Sequence, residues 1–283
     1  MNKLKLRLQL EQFFLEDIGD RDVSSLIFGN SRYGEVHFIA KESGVFCGED
    51  IIQTGYAVLD PELWCDMAVH DGETIDRGQT LATVRGPVAS LLKGERVILN
   101  LVQRMSAIAT KTRQAVETLG SGHTKICDTR KTTPGLRMLE KYAVRCGGGL
   151  NHRYGLYDGV MLKDNHIAFA GSIAEAVAAV RANTGHMVKV EVETETKDMV
   201  LEAVAAKADV IMFDNRKPEE IREWIQLVPE GIITEASGGI TMDNLASYRD
   251  TGVDYISLGC LTHSVSALDI SAKVTVGAAL QLS

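Results

Sequence analysis

The sequence predicts an α/β protein in two parts, a small mixed α/β domain followed by a β/α barrel. Three observations predict it. From about residue 124 onward, short apolar segments and amphipathic segments alternate six times, the pattern of parallel strands joined by helical crossovers. Before about residue 110 the pattern differs, with short alternating segments punctuated by glycine turns. The length of 283 residues fits two domains at about 150 residues each.

In the first part, residues 4–15 carry apolar side chains at helical spacing and residues 35–40 alternate as a strand does. Asp71-Gly72 and Arg77-Gly78 mark turns around short strands such as 80–84. Glycine turns of this kind also occur in domains that swing a modified lysine. No lysine stands at such a turn here, so a small sheet with tight turns is expected. Residues 91–119 read as a long helix bearing Arg96, Arg104 and Arg113.

In the second part the expected strands are 124–127, 159–162, 188–192, 210–213, 232–236 and 255–258. Helix starts are marked between them. Pro134 suits the first turn of a helix running to Gly147-Gly148-Gly149, and Ser172 with Glu175 has capping-box spacing. Pro218 suits a first helical position, and Thr241 a cap. Six such units favour a barrel over an open sheet, near the short end of the usual size range.

Composition narrows the function. Hydrophobic content of 45% and charged content of 24% are those of an ordinary globular protein. No apolar run approaches the roughly 20 residues that span a bilayer. The basic N-terminus meets Glu11, Glu16 and Asp17 with no apolar core, so no signal peptide is expected. A net charge of -8 argues against a general nucleic-acid coat. Cys47, Cys65, Cys127, Cys146 and Cys260 are odd in number and lack C-x-x-C spacing, which fits reduced thiols in a cytoplasm.

In a β/α barrel, chemistry collects at the C-terminal ends of the strands. Those ends read Asp128-Thr129-Arg130-Lys131, Lys163-Asp164-Asn165-His166, Glu193, Asp214-Asn215, Ser237-Gly238-Gly239 and Gly259. All six carry charge or glycine. Between Lys125 and His166 there are eight Lys/Arg and four Asp/Glu, a cationic stretch in an acidic chain. Arg137, Glu140, Lys141 and Arg145 lie at helical spacings and are expected on a solvated face, where loss of Lys141 would be silent. Arg130, Lys131, His152, Arg153 and Lys163 flank strand ends or glycine turns and are expected to bind anions. Glu193 and Asp214 suit sugar hydroxyls or Mg²⁺ bridging phosphates, the alternative being a salt bridge to a lysine. Ser237, Gly238, Gly239 and Gly259, with a helix start at Thr241, suit a phosphate.

The runs Asp128-Thr129-Arg130-Lys131-Thr132-Thr133-Pro134-Gly135, Gly147-Gly148-Gly149-Leu150-Asn151-His152-Arg153 and Leu162-Lys163-Asp164-Asn165-His166-Ile167 closely resemble the quinolinate phosphoribosyltransferases, or nicotinate-nucleotide pyrophosphorylases (carboxylating). The likeness extends to Leu15-Glu16-Asp17-Ile18-Gly19 and Glu235-Ala236-Ser237-Gly238-Gly239-Ile240 and covers nearly the whole chain. It implies an N-terminal open-faced α/β sandwich (1–110, joined by the tail 267–283) and an incomplete, about seven-stranded β/α barrel (111–266). It implies transfer from phosphoribosyl pyrophosphate to quinolinate with decarboxylation, giving nicotinate mononucleotide, pyrophosphate and CO2 in de novo NAD biosynthesis, with Mg²⁺. It also implies a homodimer, or an assembly of dimers, with shared active sites.

By resemblance, Arg130, His152 and Arg153 bind quinolinate, with Arg104 reaching in from the partner subunit. Lys131 and Lys163 engage substrate anions including the pyrophosphate. Glu193 and Asp214 hold ribose hydroxyls and Mg²⁺-linked groups, and Ser237, Gly238, Gly239 and Gly259 cradle the 5′-phosphate. One departure is Ala107, where the family pattern has glycine. The alternatives are a family paralogue with an altered substrate, a Schiff-base barrel aldolase using Lys163, and a non-catalytic anion-binding module.

Overall fold

The computed structural model describes residues 1–28 and 32–275 and divides the chain into two compact units. The first unit comprises Met1–Lys111, Met138–Gly147 and the stretch from Val265, and the second comprises Thr112–Arg137 and Gly148–Ser264. The part of the expected tail beyond Thr275 lies outside the described residues.

The first unit opens with α1 (Lys3–Ile18), which starts where Asn2 Oδ1 accepts the Leu4 and Lys5 N–H groups, each at 3.1 Å. It buries Leu6, Leu10 and Phe14. Next come β1 (Tyr33–Ala40), β2 (Gly44–Val45), α2 (Glu49–Leu59), β3 (Trp64–Met67), β4 (Thr74–Ile75) and β5 (Thr80–Pro87). Strand β1 buries Val36, Phe38 and Ala40 on alternate positions, and Phe38 meets Tyr56 of α2 edge-to-face at 6.3 Å. Antiparallel neighbours flank β1, with β5 on one side and the late strand Ile270–Thr275 on the other. The long helix α3 (Val88–Leu119) follows β5 and begins three residues earlier than its sequence pattern.

Helix α4 (Arg137–Cys146) corrects two expectations. It starts after Pro134, because residues 134–136 form a turn closed by Leu136 N–H to the Thr133 carbonyl at 3.0 Å. Its charged residues are not a solvated face. Glu140 is 1% exposed and Lys141 is fully buried, and of the expected four only Arg145 is exposed. Arg104 on α3 reaches Glu140 Oε1 through Nε at 2.8 Å and Nη2 at 2.6 Å. Tyr142 donates to Asp71 Oδ2 at 2.8 Å, while Asp71 Oδ1 accepts the Gly48 and Glu49 N–H groups at the start of α2. Charge at helical spacing does not distinguish water from a polar neighbour, so Lys141→Ala carries the cost of a buried group instead of being silent.

The second unit strings β6 (Lys125–Cys127), β7 (Val160–Leu162), α5 (Asp164–Ala170), α6 (Ile173–Asn183), β8 (Val190–Thr194), α7 (Lys197–Ala205), β9 (Val210–Asp214), α8 (Pro218–Trp224), β10 (Ile233–Ser237), β11 (Tyr255–Ser257) and α9 (Cys260–His263). The six strands form one parallel sheet ordered β6-β11-β10-β9-β8-β7. First and last strands pair, so the sheet curls into a barrel left incomplete beside β7. Leu150 makes a single parallel bridge to Cys127 on the free side of β6, so the seventh strand position is reduced to one residue. Ser172 caps α6 by accepting the Glu175 N–H at 3.1 Å, and Pro218 opens α8. The helix expected at Thr241 does not form. Asn244 Oδ1 accepts the Thr241 N–H, and the segment holds only a 3₁₀ turn at Leu245–Tyr248.

Candidate active site

Side chains on a strand alternate between faces, so residues two apart share the inside of the barrel. The inner positions are Met161 and Lys163, Glu191 and Glu193, Met212 and Asp214, Glu235 and Ser237. The outermost of each pair stands at the C-terminal end of its strand, with Ser257 of β11 beside them. Together with Thr129, Arg130, Lys131, His152, Arg153, Asn215, Gly238 and Gly239 they line one cavity of about 410 Å³.

The cationic side is held in place by local bonds. Asp128, fully buried after β6, accepts the His152 backbone N–H at 2.9 Å and the Asn151 side chain at 2.6 Å. Arg137 donates to Thr132 Oγ1 and to the Tyr154 carbonyl, both at 3.0 Å, and so ties the two loops together. Arg153 donates to the Gly159 carbonyl at 2.9 Å, and burial followed by the charge of nearby Arg130 lowers its pKa. Two arginines this close attract anions strongly. The Lys163 N–H donates to His166 Nδ1 at 3.1 Å, fixing the backbone where β7 gives way to α5.

Opposite them, Lys163 Nζ stands 2.5 Å from Glu193 Oε2. Asp214 is raised from its ordinary value, first by burial and then by the charge of Glu193, while Lys163 and Lys131 pull it back. Ligand atoms of Glu193, Glu195 and Asp214 lie within 4.8 Å of one another. Such hard oxygen donors fit a hard divalent cation such as Mg²⁺.

The glycine turn adds the third element. Gly238 and Gly239 have φ of 79° and 65°, and Asn215 has 54°. A Cβ on Gly238 would fall 2.4 Å from Asn215 Oδ1 and 2.7 Å from its backbone N, so only glycine fits. Asn215 donates its N–H to the Ser237 carbonyl at 2.9 Å, and Ser237 and Ser257 hydroxyls meet at 2.9 Å. Gly259 does not line the cavity. It starts α9, where a Cβ would crowd Lys131 Cδ at 3.1 Å.

The cavity therefore gathers ten of the sequence-predicted residues: Arg130, Lys131, His152, Arg153, Lys163, Glu193, Asp214, Ser237, Gly238 and Gly239. Arg104 stands in the first unit, paired with Glu140. Sequence reasoning passed over Glu191 and Glu235, although each lies two residues before a predicted site residue on the same strand face.

A parallel β/α barrel whose mouth sets cations against paired carboxylates and a glycine cradle defines an enzyme for phosphorylated, multiply anionic substrates. Residues 22–106 match the family model described as quinolinate phosphoribosyl transferase, N-terminal domain, and residues 108–273 match the C-terminal domain. The chain is 55% identical over 276 residues to a Bacillus subtilis (strain 168) protein named "Probable nicotinate-nucleotide pyrophosphorylase (carboxylating)", covering 98% of this chain and 96% of that one. Among solved structures, NadC from Streptococcus pyogenes superposes with TM-score 0.93 at 41% identity, over 97% of this chain and 98% of that one. Nicotinate-nucleotide pyrophosphorylase from Francisella tularensis does so with TM-score 0.92 at 34% identity, again over 97% and 98%. The chain belongs to the quinolinate phosphoribosyltransferase family.

Proposed function

We infer that the barrel mouth transfers the phosphoribosyl group of phosphoribosyl pyrophosphate to the ring nitrogen of quinolinate, with loss of the 2-carboxylate. The products are nicotinate mononucleotide, pyrophosphate and CO2, a step of de novo NAD biosynthesis. The observation that carries this is the convergence of two arginines, two lysines, two carboxylates and the glycine cradle on one cavity of about 410 Å³. The test is a product assay with protein, Mg²⁺, quinolinate and phosphoribosyl pyrophosphate. Nicotinate mononucleotide is expected, and its absence at millimolar substrate would refute the reading.

Arg130 and Arg153 bind the two quinolinate carboxylates, and His152 lines the pocket beside them. Lys131 and Lys163 engage the donor's anionic groups, Glu193 and Asp214 hold ribose hydroxyls, and Ser237, Gly238 and Gly239 cradle the 5′-phosphate, while Gly259 leaves room for the Lys131 side chain. Glu193 and Asp214 would hold Mg²⁺, directly or through water, and the ion would supply positive charge to offset that of the leaving diphosphate. Displacement at ribose C1 passes through a cation-like sugar, so the residues act by alignment and by fixed charge, and no side chain becomes covalent. Loss of the carboxylate as CO2 leaves its electron pair on the ring carbon beside a cationic ring nitrogen, and a proton from water takes the carboxylate's place there. Lys163 is ion-paired with Glu193, unlike the desolvated amine that Schiff-base chemistry uses.

The reading extends to a dimer in which Arg104 completes the partner's site, held by buried Glu140, and to a cytoplasmic setting. Five free cysteines support that setting. No helix among the described residues is long and apolar enough to cross a membrane.

Nicotinate is expected to be a poor substrate, because its single carboxylate leaves part of the cationic pocket unpaired. Steady-state kinetics should show kcat/KM at least about a hundredfold below that of quinolinate, and comparable values would contradict the pocket assignment. Gly238→Ala places a methyl on Asn215 and forces a left-handed backbone. Its KM for phosphoribosyl pyrophosphate should rise about tenfold or more, with that for quinolinate much less affected.

A further inference from the structure

Below the mouth, the inner face of the barrel carries two carboxylates beside His152, which lines the proposed quinolinate pocket. Glu191 on β8 and Glu235 on β10 have side chains only 8% and 5% exposed. His152 Nε2 stands 3.0 Å from Glu191 Oε2 and 3.7 Å from Glu235 Oε2. Its Nδ1 accepts the Arg153 backbone N–H at 2.7 Å, which assigns the ring proton to Nε2, facing the carboxylates. Glu191 Oε1 and Glu235 Oε1 are buried with no hydrogen-bond partner among the described residues. A second cavity of about 360 Å³ adjoins them, and His152 and Arg153 line both cavities.

Two buried carboxylates around one imidazole are costly to ionise together. Glu235 bears that cost. Burial first and the charge of Glu191 second push it up to about 7, while His152 and the Ser257 hydroxyl on β11 oppose the shift. Asp128, beyond β6, adds negative charge. Cys127, Arg153, Asp158, Lys189 and Tyr255 stand around the same cavity.

We infer that this cluster takes up a proton as a pyridine dicarboxylate enters the mouth, with Glu235 as the site of uptake and Glu191 and His152 fixing its surroundings. The inference rests on the functional reading above. A dianion held by Arg130 and Arg153 beside His152 brings two negative charges toward a pair already negative. The ionised form of Glu235 becomes still less favourable, and the proton it gains relieves the repulsion. Glu235 is thus a positioning residue, acting on the substrate through His152.

The test is isothermal titration calorimetry of quinolinate into the full-length protein at pH 7.5, in two buffers of different ionisation enthalpy. The heats should differ by an uptake of about half a proton per site, as follows when binding raises a group titrating near 7 by about one unit. Because binding raises the proton affinity, quinolinate affinity should fall about fivefold from pH 7 to 8.5. Glu235→Gln, checked for folding by its thermal midpoint, should give equal heats in both buffers and a flat affinity. Glu191→Gln should shrink the uptake. Equal heats in the wild-type protein, or no heat from a preparation that turns quinolinate over, would overturn the inference. Full uptake in folded Glu235→Gln would overturn the assignment to Glu235. A preparation that neither binds nor turns over quinolinate would instead overturn the functional reading, and this inference with it.

Discussion

Lys163→Ala is expected to lower kcat by about a hundred- to a thousandfold, the range seen when one fixed charge is removed from a developing transition state. Lys163 ends β7 at the mouth, and its ammonium stands 2.5 Å from Glu193. On the proposed reading, removing it withdraws a cation that engages the leaving pyrophosphate. It also strips Glu193 and Asp214 of their nearest shared counter-charge, in a place where burial already makes Asp214 costly to ionise. Lys125 is the matched control. It has the same charge and is exposed, but it begins β6 at the other end of the strands and donates to the Gly122 carbonyl at 3.1 Å. Lys125→Ala should leave kcat within about twofold, as surface substitutions away from a site usually do. Equal losses in the two variants would refute the mouth as the reacting end.

Mixing Arg104→Ala with Lys163→Ala protein is expected to restore activity that neither possesses alone. If Arg104 serves the partner's site, a mixed dimer holds one site with both changes and one with neither. Random one-to-one exchange makes about half the dimers mixed, so recovery should approach about one quarter of wild-type activity. If Arg104 served its own subunit, both sites of the mixed dimer would be defective. Exchange confirmed by native mass spectrometry without recovered activity would therefore refute the shared site. The bond from Arg104 to buried Glu140 gives an independent check. Glu140→Gln should raise the KM for quinolinate more than it lowers kcat, because the arginine loses the partner that sets its direction.

The six barrel strands were legible because short segments rich in Val, Ile and Leu, some alternating with polar residues, recur between helices with chemical start signals, and each observed strand overlaps its expected span. The residue types at their C-terminal ends were legible too, since charged residues and glycines cluster where these segments stop, and they meet in one cavity. Other features escaped for specific reasons. The polar residues at Glu140 and Lys141 match a water-facing helix as well as they match a buried network around Arg104. Thr241 has the chemistry of a cap, but Asn244 takes the local bonds and holds a 3₁₀ turn.

What the sequence by itself determined is the order of strands and helices, the residue type at each strand end, and family membership through the runs around Arg130, His152 and Lys163. These are local properties, written in spacing and in side-chain chemistry. Only the tertiary structure decided that Glu191 and Glu235 meet His152, that Gly238 lies against Asn215, and that Lys141 is buried. Period-two alternation tells which residues share a face of a strand. Whether that face looks onto water, an apolar core or the inside of a barrel depends on strands dozens of residues away. Closing the sheet between β6 and β11 turned the polar face of Glu191-Val192-Glu193 inward, where its charges bear on one another across a small buried space.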